Sequence, residues 1–215
     1  VARVKRRVGV LISGRGSNLG ALLAAAQDPA YPARIALVLS NRPDAAGLAV
    51  AASAGVPAEA VDHRVFGADR AAHEAALDAK LRAADIEIVC LAGYMRKLTP
   101  FLVRAWEGRM LNIHPSLLPS FPELDTHRRA LDAGVCLHGC TVHLVAEGVD
   151  EGPILAQAAV PVLAGDTEAT LAARVLAQEH ILYPAALRAL ADGVTPPADG
   201  RAALISLLPG PSALK

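Results

Sequence analysis

Aromatic residues make up only 3% of the 215-residue chain, so alanine, leucine and valine must build its core. The three cysteines are an odd number and suggest no disulfide framework. Net charge is lacking too, with 21 Lys+Arg against 21 Asp+Glu. That argues against broad nucleic-acid binding, which needs a basic face. No apolar run approaches the roughly 18–20 residues of a membrane span, so no membrane partner is expected. Arg3, Lys5, Arg6 and Arg7 precede only a short apolar run, Val8–Ile12. This is too short for a signal-peptide core, and no small-residue cleavage site follows. The expectation is a cytoplasmic protein. What remains is 53% apolar and 20% charged, a folded composition sized for one domain with an appendage.

Short β-rich runs alternate with alanine-rich helical patterns. Val8–Ser13, Ile35–Ser40, Ile86–Ala92 and Met110–His114 read as strands. Asn18–Ala26, Ala46–Ala54 and Ala68–Ala83 read as helices, the last with Leu77, Leu81 and Ala84 on one face. This alternation predicts an α/β fold with a mostly parallel twisted sheet of about seven strands, Rossmann-like in its N-terminal half. Val142–Val145 and Ile154–Val162 have no helix between them, which predicts an antiparallel pair near the C-terminal end. Thr167–Ala191 is the last helix, interrupted near Pro184. The expected division is a single domain over 1–192 and a loosely ordered tail over 193–215, where Pro196, Pro197, Pro209 and Pro211 lie.

Parallel α/β sheets bind ligands at the carboxyl ends of their strands. After the first strand comes Ser13-Gly14-Arg15-Gly16-Ser17-Asn18, opening a helix. Glycines admit a ligand close to the backbone, and free N–H groups at a helix start attract phosphate. Simple helix capping by Ser17 or Asn18 is the other reading. It is not a P-loop, because no Gly-Lys-Ser/Thr follows. A dinucleotide fingerprint fits poorly: Gly20 comes one residue late, and Asn41-Arg42 replaces the usual acidic residue. Arg42 on a 2′-phosphate is the weak NADP alternative.

In the Met110–His114 strand, Asn112 and His114 are two apart in an extended segment held by Pro115, so they project to one side. An amide donor beside an imidazole suits a developing oxyanion or acid–base work. Spacing alone does not choose between this and a strand end with two solvated residues. Glu147, Asp150 and Glu151 sit in a glycine-flanked loop that could be a plain turn. Cys136, His138, Cys140 and His143 resemble a metal set, but in a strand Cys136 and Cys140 would be about 13 Å apart. Zinc–sulfur bonds are near ~2.3 Å, so no metal is expected. His63 and His73 read as surface residues.

Taken in order, the phosphate-like loop, Leu91-Ala92-Gly93-Tyr94-Met95-Arg96, Asn112-Ile113-His114-Pro115-Ser116-Leu117-Leu118-Pro119, Asp150-Glu151-Gly152-Pro153 and Gln178-Glu179-His180 resemble the phosphoribosylglycinamide formyltransferases. The resemblance spans Val8 to about Asp192. It implies the formyltransferase fold and transfer of a formyl group from 10-formyltetrahydrofolate, as co-substrate, to the amine of 5′-phosphoribosylglycinamide in purine biosynthesis. Catalysis would fall to Asn112, His114 and Asp150. The ribonucleotide would be held by Gly16, Ser17, Asn18, Gly93, Met95, Pro115 and Glu179. The folate would meet Arg70, Leu91, Arg96, Lys97, Leu98, Val103 and Asn112, with Ala146, Glu147, Gly148, Val149 and Asp150 folding around the pterin. The implied partners are small molecules, with no nucleic acid, no membrane and no metal, and with a homodimer as the candidate assembly.

The family pattern is broken after the proline loop. Glu123 stands where glycine is usual, and Asp125 replaces the first of two histidines, leaving His127. A side chain there restricts the backbone, so a differently seated loop is expected. Two relatives of the chemistry fit less well. A methionyl-tRNA formyltransferase would carry a further RNA-binding domain. A formyltetrahydrofolate hydrolase would place a regulatory domain before the first strand, which here begins near Val8.

Overall fold

The structure, a computed structural model, describes residues 4–196 and 204–206. In chain order the elements are β1 (Arg6–Ile12), α1 (Ser17–Ala26), β2 (Ala33–Ser40), α2 (Ala46–Ser53), β3 (Ala58–Ala60), a single 3-10 turn (His63–Phe66), α3 (Arg70–Ala83) and β4 (Ile88–Leu91). Then follow α4 (Pro100–Ala105), β5 (Met110–His114), α5 (Thr126–Asp132), β6 (Leu137–Leu144), β7 (Ile154–Pro161), α6 (Glu168–Ala191) and β8 (Leu204–Ser206). One sheet contains every strand, in the order β3-β2-β1-β4-β5-β6-β7-β8. β1 to β5 run parallel, β6 pairs antiparallel with both β5 and β7, and β8 returns parallel to β7. The expected seven-strand mixed sheet is present, and β8 adds an edge to it. The remainder of the expected loose tail, apart from 193–196 and this strand, lies outside the described residues.

The central strands are apolar on both faces because helices cover both. Val8, Val10 and Ile12 of β1 join one buried cluster with Leu19, Leu22, Val175 and Tyr183 from α1 and α6. Leu11 points the other way, into a second cluster with Leu77, Leu81, Leu102 and Trp106. Gly9 lies under α3: a Cβ there would sit 2.6 Å from Leu81 Cδ2. Of the few aromatics, Tyr94 and Trp106 fill the second cluster and Tyr183 lies in the first.

Two expectations are corrected. α6 is not interrupted at Pro184; it runs unbroken as 24 residues. Proline removes one backbone donor, but Leu182, Tyr183, Ala186 and Leu187 around it are buried and hold the helix on the sheet. The Pro184 carbonyl also accepts a bond from the Tyr31 hydroxyl at 2.7 Å. Second, β6 begins at Leu137 rather than Val142, so Cys140 and His138 belong to the strand.

Tyr183 ties α6 to the ends of the strands that carry the polar cluster. Its buried hydroxyl reaches the carbonyls of Leu91 at 3.0 Å and Leu111 at 3.2 Å. Tyr183→Phe should cost about 1–3 kcal/mol of unfolding free energy, the desolvation of acceptors left unmet. Urea denaturation checks this, with an unchanged m-value showing that the fold is otherwise kept.

Candidate functional site

β5 has a parallel neighbour, β4, on one side and an antiparallel neighbour, β6, on the other. Asn112 stands opposite His143, and His114 opposite Thr141. Pro115 stops the strand directly after His114. β6 ends beside the start of β5, where Val145 N–H donates to the Met110 carbonyl at 2.8 Å, and the β6–β7 loop then carries Asp150 back to His114. Asp150 Oδ2 lies 3.4 Å from His114 Nδ1, and both side chains are over nine-tenths buried. Its Oδ1 lies 3.7 Å from His143 Nε2. The Asn112 amide nitrogen is 3.1 Å from the same His143 Nε2. Asn112, His114 and Asp150, far apart in sequence, thus form one cluster.

The hydrogen bonds define the protons. His114 Nε2 is 3.0 Å from the Phe121 carbonyl, which can only accept, so Nε2 carries hydrogen. Nδ1 then faces a carboxylate and is matched to it only when protonated as well. Burial pushes the His114 pKa down; the Phe121 carbonyl and the Asp150 charge push it back up, and the balance stays below the ordinary value. For Asp150, burial raises the pKa, but the bonds from His143 and the Glu123 N–H outweigh it and keep the carboxylate ionised. Burial thus favours the neutral imidazole, while its two flanking acceptors favour the cation once burial is offset by new negative charge.

The loop bearing the unusual Glu123 seats Asp150. Phe121, Glu123 and Asp125 all have positive φ, at 54°, 65° and 56°. Glu123 thus takes a glycine-like conformation rather than avoiding it, at a cost of roughly 1–2 kcal/mol for a residue with a Cβ. That geometry points its N–H at Asp150 Oδ2, 2.8 Å away. Asp150 is itself left-handed, at φ 58°. Glu123 Oε1 also meets Lys97 Nζ at 3.1 Å.

The first loop forms the second half of the site. Gly16 sits at φ 79° as the N-cap of α1, with no side-chain cap and no acidic residue in the first turn. Ser17 and Asn18 therefore do not cap the helix, and its first N–H groups stay open to an anion. A Cβ on Gly16 would lie 2.7 Å from Gly47 Cα, so no other residue fits. Asn18 Nδ2 donates to Glu179 Oε2 at 2.6 Å. Burial raises the Glu179 pKa. The buried Asn18 Oδ1 has no donor among the described residues, as expected of an acceptor kept for a ligand hydroxyl or amine.

The remaining candidates divide between two walls. Gly93 and Met95 reach back to the first loop, where Ser13 N–H donates to the Gly93 carbonyl at 3.1 Å and Met95 N–H to Ser13 Oγ at 2.8 Å. Pro115 follows His114 directly. Val103, Ala146 and Glu147 line a cleft of about 410 Å³ between α4 and the β6–β7 loop. Arg104 closes its rim by pairing with Glu147 at 2.6 Å. Leu91 is buried, Leu98 half-buried, and Gly148 and Val149 sit in the loop itself. Arg70 opens α3 at the surface, and Arg96 is half-buried.

His143 and Thr141 were not legible as site residues. Thr141 Oγ1 donates to the Ser116 carbonyl at 2.7 Å and accepts from Leu118 N–H at 3.0 Å, pinning the proline loop. Their i, i+2 spacing on one strand face was the available signal, but the register against β5 was not. His73 is corrected from the surface to the interior: it is 1% exposed, with Nε2 2.9 Å from the Val61 carbonyl. Among the described residues no group of three or more His, Cys, Asp or Glu is placed to hold a metal. Nor is any helix there long and apolar enough to cross a membrane.

Comparison with known proteins adds an independent line. The model of the family described as formyl transferase matches residues 6–187. The Escherichia coli phosphoribosylglycinamide formyltransferase is 44% identical over 86% of this chain and 86% of its own. The Bos taurus trifunctional purine biosynthetic protein adenosine-3 is 51% identical over 88% of this chain. The chain spans only about a fifth of that relative, 19% of its length. Among solved structures, the phosphoribosylglycinamide formyltransferase of Brucella melitensis superposes with TM-score 0.84 at 56% identity, covering 89% of this chain and 98% of that one. The glycinamide ribonucleotide transformylase 1 of Symbiobacterium toebii gives TM-score 0.85 at 51% identity, covering 88% and 89%.

Two substitutions test the geometry. Gly16→Ala should raise the KM for a phosphorylated substrate by tenfold or more while sparing the other substrate, because the loop must open to relieve the Gly47 contact. Steady-state kinetics with each substrate varied in turn reads this. Asp150→Asn removes the charge facing Nδ1, so the His114 pKa should fall further. kcat should drop by roughly 10²–10⁴ with little change in either KM. A kcat within about threefold of wild type, with the fold intact, removes Asp150 from the chemistry.

Proposed function

The chain belongs to the formyl transferase family, among the phosphoribosylglycinamide formyltransferases, and on that premise we propose that the cluster at the end of β5 performs the transfer. The reaction passes a formyl group from 10-formyltetrahydrofolate to the amine of 5′-phosphoribosylglycinamide, giving the formylated ribonucleotide and tetrahydrofolate. The observation that carries the reading is His114, a buried imidazole between the Phe121 carbonyl and the Asp150 carboxylate, beside the Asn112 amide.

The residues fit this chemistry step by step. The open N-terminus of α1 at Gly16, Ser17 and Asn18 holds the phosphate, and the buried Asn18–Glu179 pair takes the ribose. Gly93, Met95 and Pro115 flank the glycinamide. Leu91, Leu98, Val103 and the 146–150 loop enclose the folate, with Arg70, Arg96 and Lys97 toward its anionic end. When the amine attacks, negative charge develops on the carbonyl oxygen. Asn112 donates its amide hydrogen to that oxygen. The new charge raises the His114 pKa, so the imidazole takes a proton from solvent at Nδ1, where Asp150 favours it, and returns it to solvent when the tetrahedral intermediate collapses. The proton lost by the attacking nitrogen passes to the departing folate nitrogen, so no net proton is consumed. Closure of a buried, preorganised site makes each of these electrostatic terms larger than in water. The same reading places the enzyme in the cytoplasm.

The deciding assay incubates the protein with 10-formyltetrahydrofolate, with and without the ribonucleotide, and follows tetrahydrofolate release. Release should require the ribonucleotide and be matched mole for mole by formylated product. Equal release in its absence would mean a hydrolase instead.

A further inference from the structure

His114 on β5, Thr141 on β6 and Gln157 on β7 stand in one row across the sheet. Directly opposed residues share a face, and the proline loop after β5 is held by all three. His114 Nε2 donates to the Phe121 carbonyl at 3.0 Å. Thr141 Oγ1 gives its hydrogen to the Ser116 carbonyl and accepts from the Leu118 N–H. Gln157 Nε2 donates to the Leu118 carbonyl at 2.9 Å and to Thr141 Oγ1 at 3.0 Å. A carbonyl only accepts, so it is the amide nitrogen of Gln157 that faces the loop. The Thr141 hydroxyl is then saturated, with its hydrogen and both lone pairs in use. The loop is also braced from within, by Ser116 Oγ on the Ser120 carbonyl at 2.7 Å and by Ser120 N–H on the Leu117 carbonyl at 3.0 Å. Leu117 packs over Gly139, where a Cβ would lie 2.9 Å from Leu117 Cδ2.

The far end of this loop needs outside support. Phe121 has φ of 54°, a conformation that a residue with a Cβ resists. Such a conformation persists only where surrounding contacts over-determine it. The sheet supplies those contacts at Leu118, through Thr141 and Gln157. Because the turn between is braced, a shift of Leu118 is passed on to the Phe121 carbonyl. That carbonyl decides which nitrogen of the neutral His114 ring carries hydrogen. With the carbonyl displaced, the hydrogen is free to sit on Nδ1, toward the Asp150 carboxylate. The next proton must then go to Nε2, where no acceptor favours it. We propose that Gln157 is a positioning residue for formyl transfer, fixing through Leu118 and Thr141 the loop that holds the Nε2 hydrogen of His114. The proposal rests on the reading of His114 as the group that answers the developing oxyanion.

The test is Gln157→Met, which keeps the length of the side chain and removes its amide. Tyr31→Phe is the comparison: it loses one bond, to the Pro184 carbonyl, at the amino end of β2 and away from the loop. The titratable groups facing His114, namely Asp150, His143, Arg129, His127 and His138, are the same in both. In Gln157→Met, kcat should fall about three- to tenfold, the reach of one net hydrogen bond. Both KM values should stay within about twofold. Nitrogen-15 NMR should find part of the neutral His114 ring protonated at Nδ1, and its midpoint lowered, because the Phe121 carbonyl is a group that raises it. Tyr31→Phe should keep the kcat and the ring spectrum of wild type while losing melting temperature. Gln157→Asn, whose amide is one carbon too short to meet both acceptors, repeats the reading should the methionine variant not fold. An unchanged ring spectrum in a folded Gln157 variant overturns the proposal. So does a kcat loss equalled by Tyr31→Phe, or an effect confined to one KM, which would make Gln157 a substrate contact. The tautomer shift in a protein that transfers no formyl group to the ribonucleotide would instead overturn the proposed function alone.

Discussion

A buried imidazole with an acceptor on each side organises this molecule. His114 cannot point both nitrogens at acceptors without becoming a cation, and burial resists that cation. The site therefore holds a group whose charge state is undecided until something else supplies negative charge. The Phe121 carbonyl, the Asp150 carboxylate and the low-polarity surroundings set that balance, and each comes from a different part of the chain. Removing any one of them tips it.

The sheet makes this convergence possible. Because β6 runs antiparallel to β5, it ends beside the start of β5, with Leu144 opposite Leu111. The β6–β7 loop must then turn back along the sheet, and in doing so it lays Asp150 against both His143 and His114. The strained loop at Phe121–Asp125 then locks it by a backbone bond from Glu123. Strain of this kind persists where surrounding contacts over-determine it, here Lys97 on one side and Asp150 on the other. At the far side of β5, the parallel β1 and β4 present the open start of α1 and the Met95 wall. Two chemistries, anion holding and proton handling, thus occupy neighbouring strand ends of one rigid sheet.

Much of this was readable from residue order. Strand-loop-helix alternation gave the parallel half, and the missing helix between the last long strands gave the antiparallel turn. Period two and a proline stop set Asn112 and His114 on one side of a strand, but only the resemblance singled them out from two solvated strand-end residues. Other features were hidden because they depend on register or burial. His143 is in a strand whose pairing with β5 no local pattern specifies, and among cysteines and histidines it resembled a metal ligand. His73 looked polar and exposed, yet its one carbonyl bond lets it sit inside. Pro184 suggested a break, but the buried face around it outweighs one lost hydrogen bond. The role of Glu123 lies in its backbone, which composition cannot reveal.

The most direct measurement is the nitrogen-15 NMR titration of the His114 ring in the ligand-free protein, which reports both its pKa and its neutral tautomer. The account predicts a midpoint below the ordinary 6.5, with hydrogen on Nε2 in the neutral form, toward the Phe121 carbonyl. A neutral ring protonated at Nδ1, or a midpoint well above the ordinary value, would contradict it.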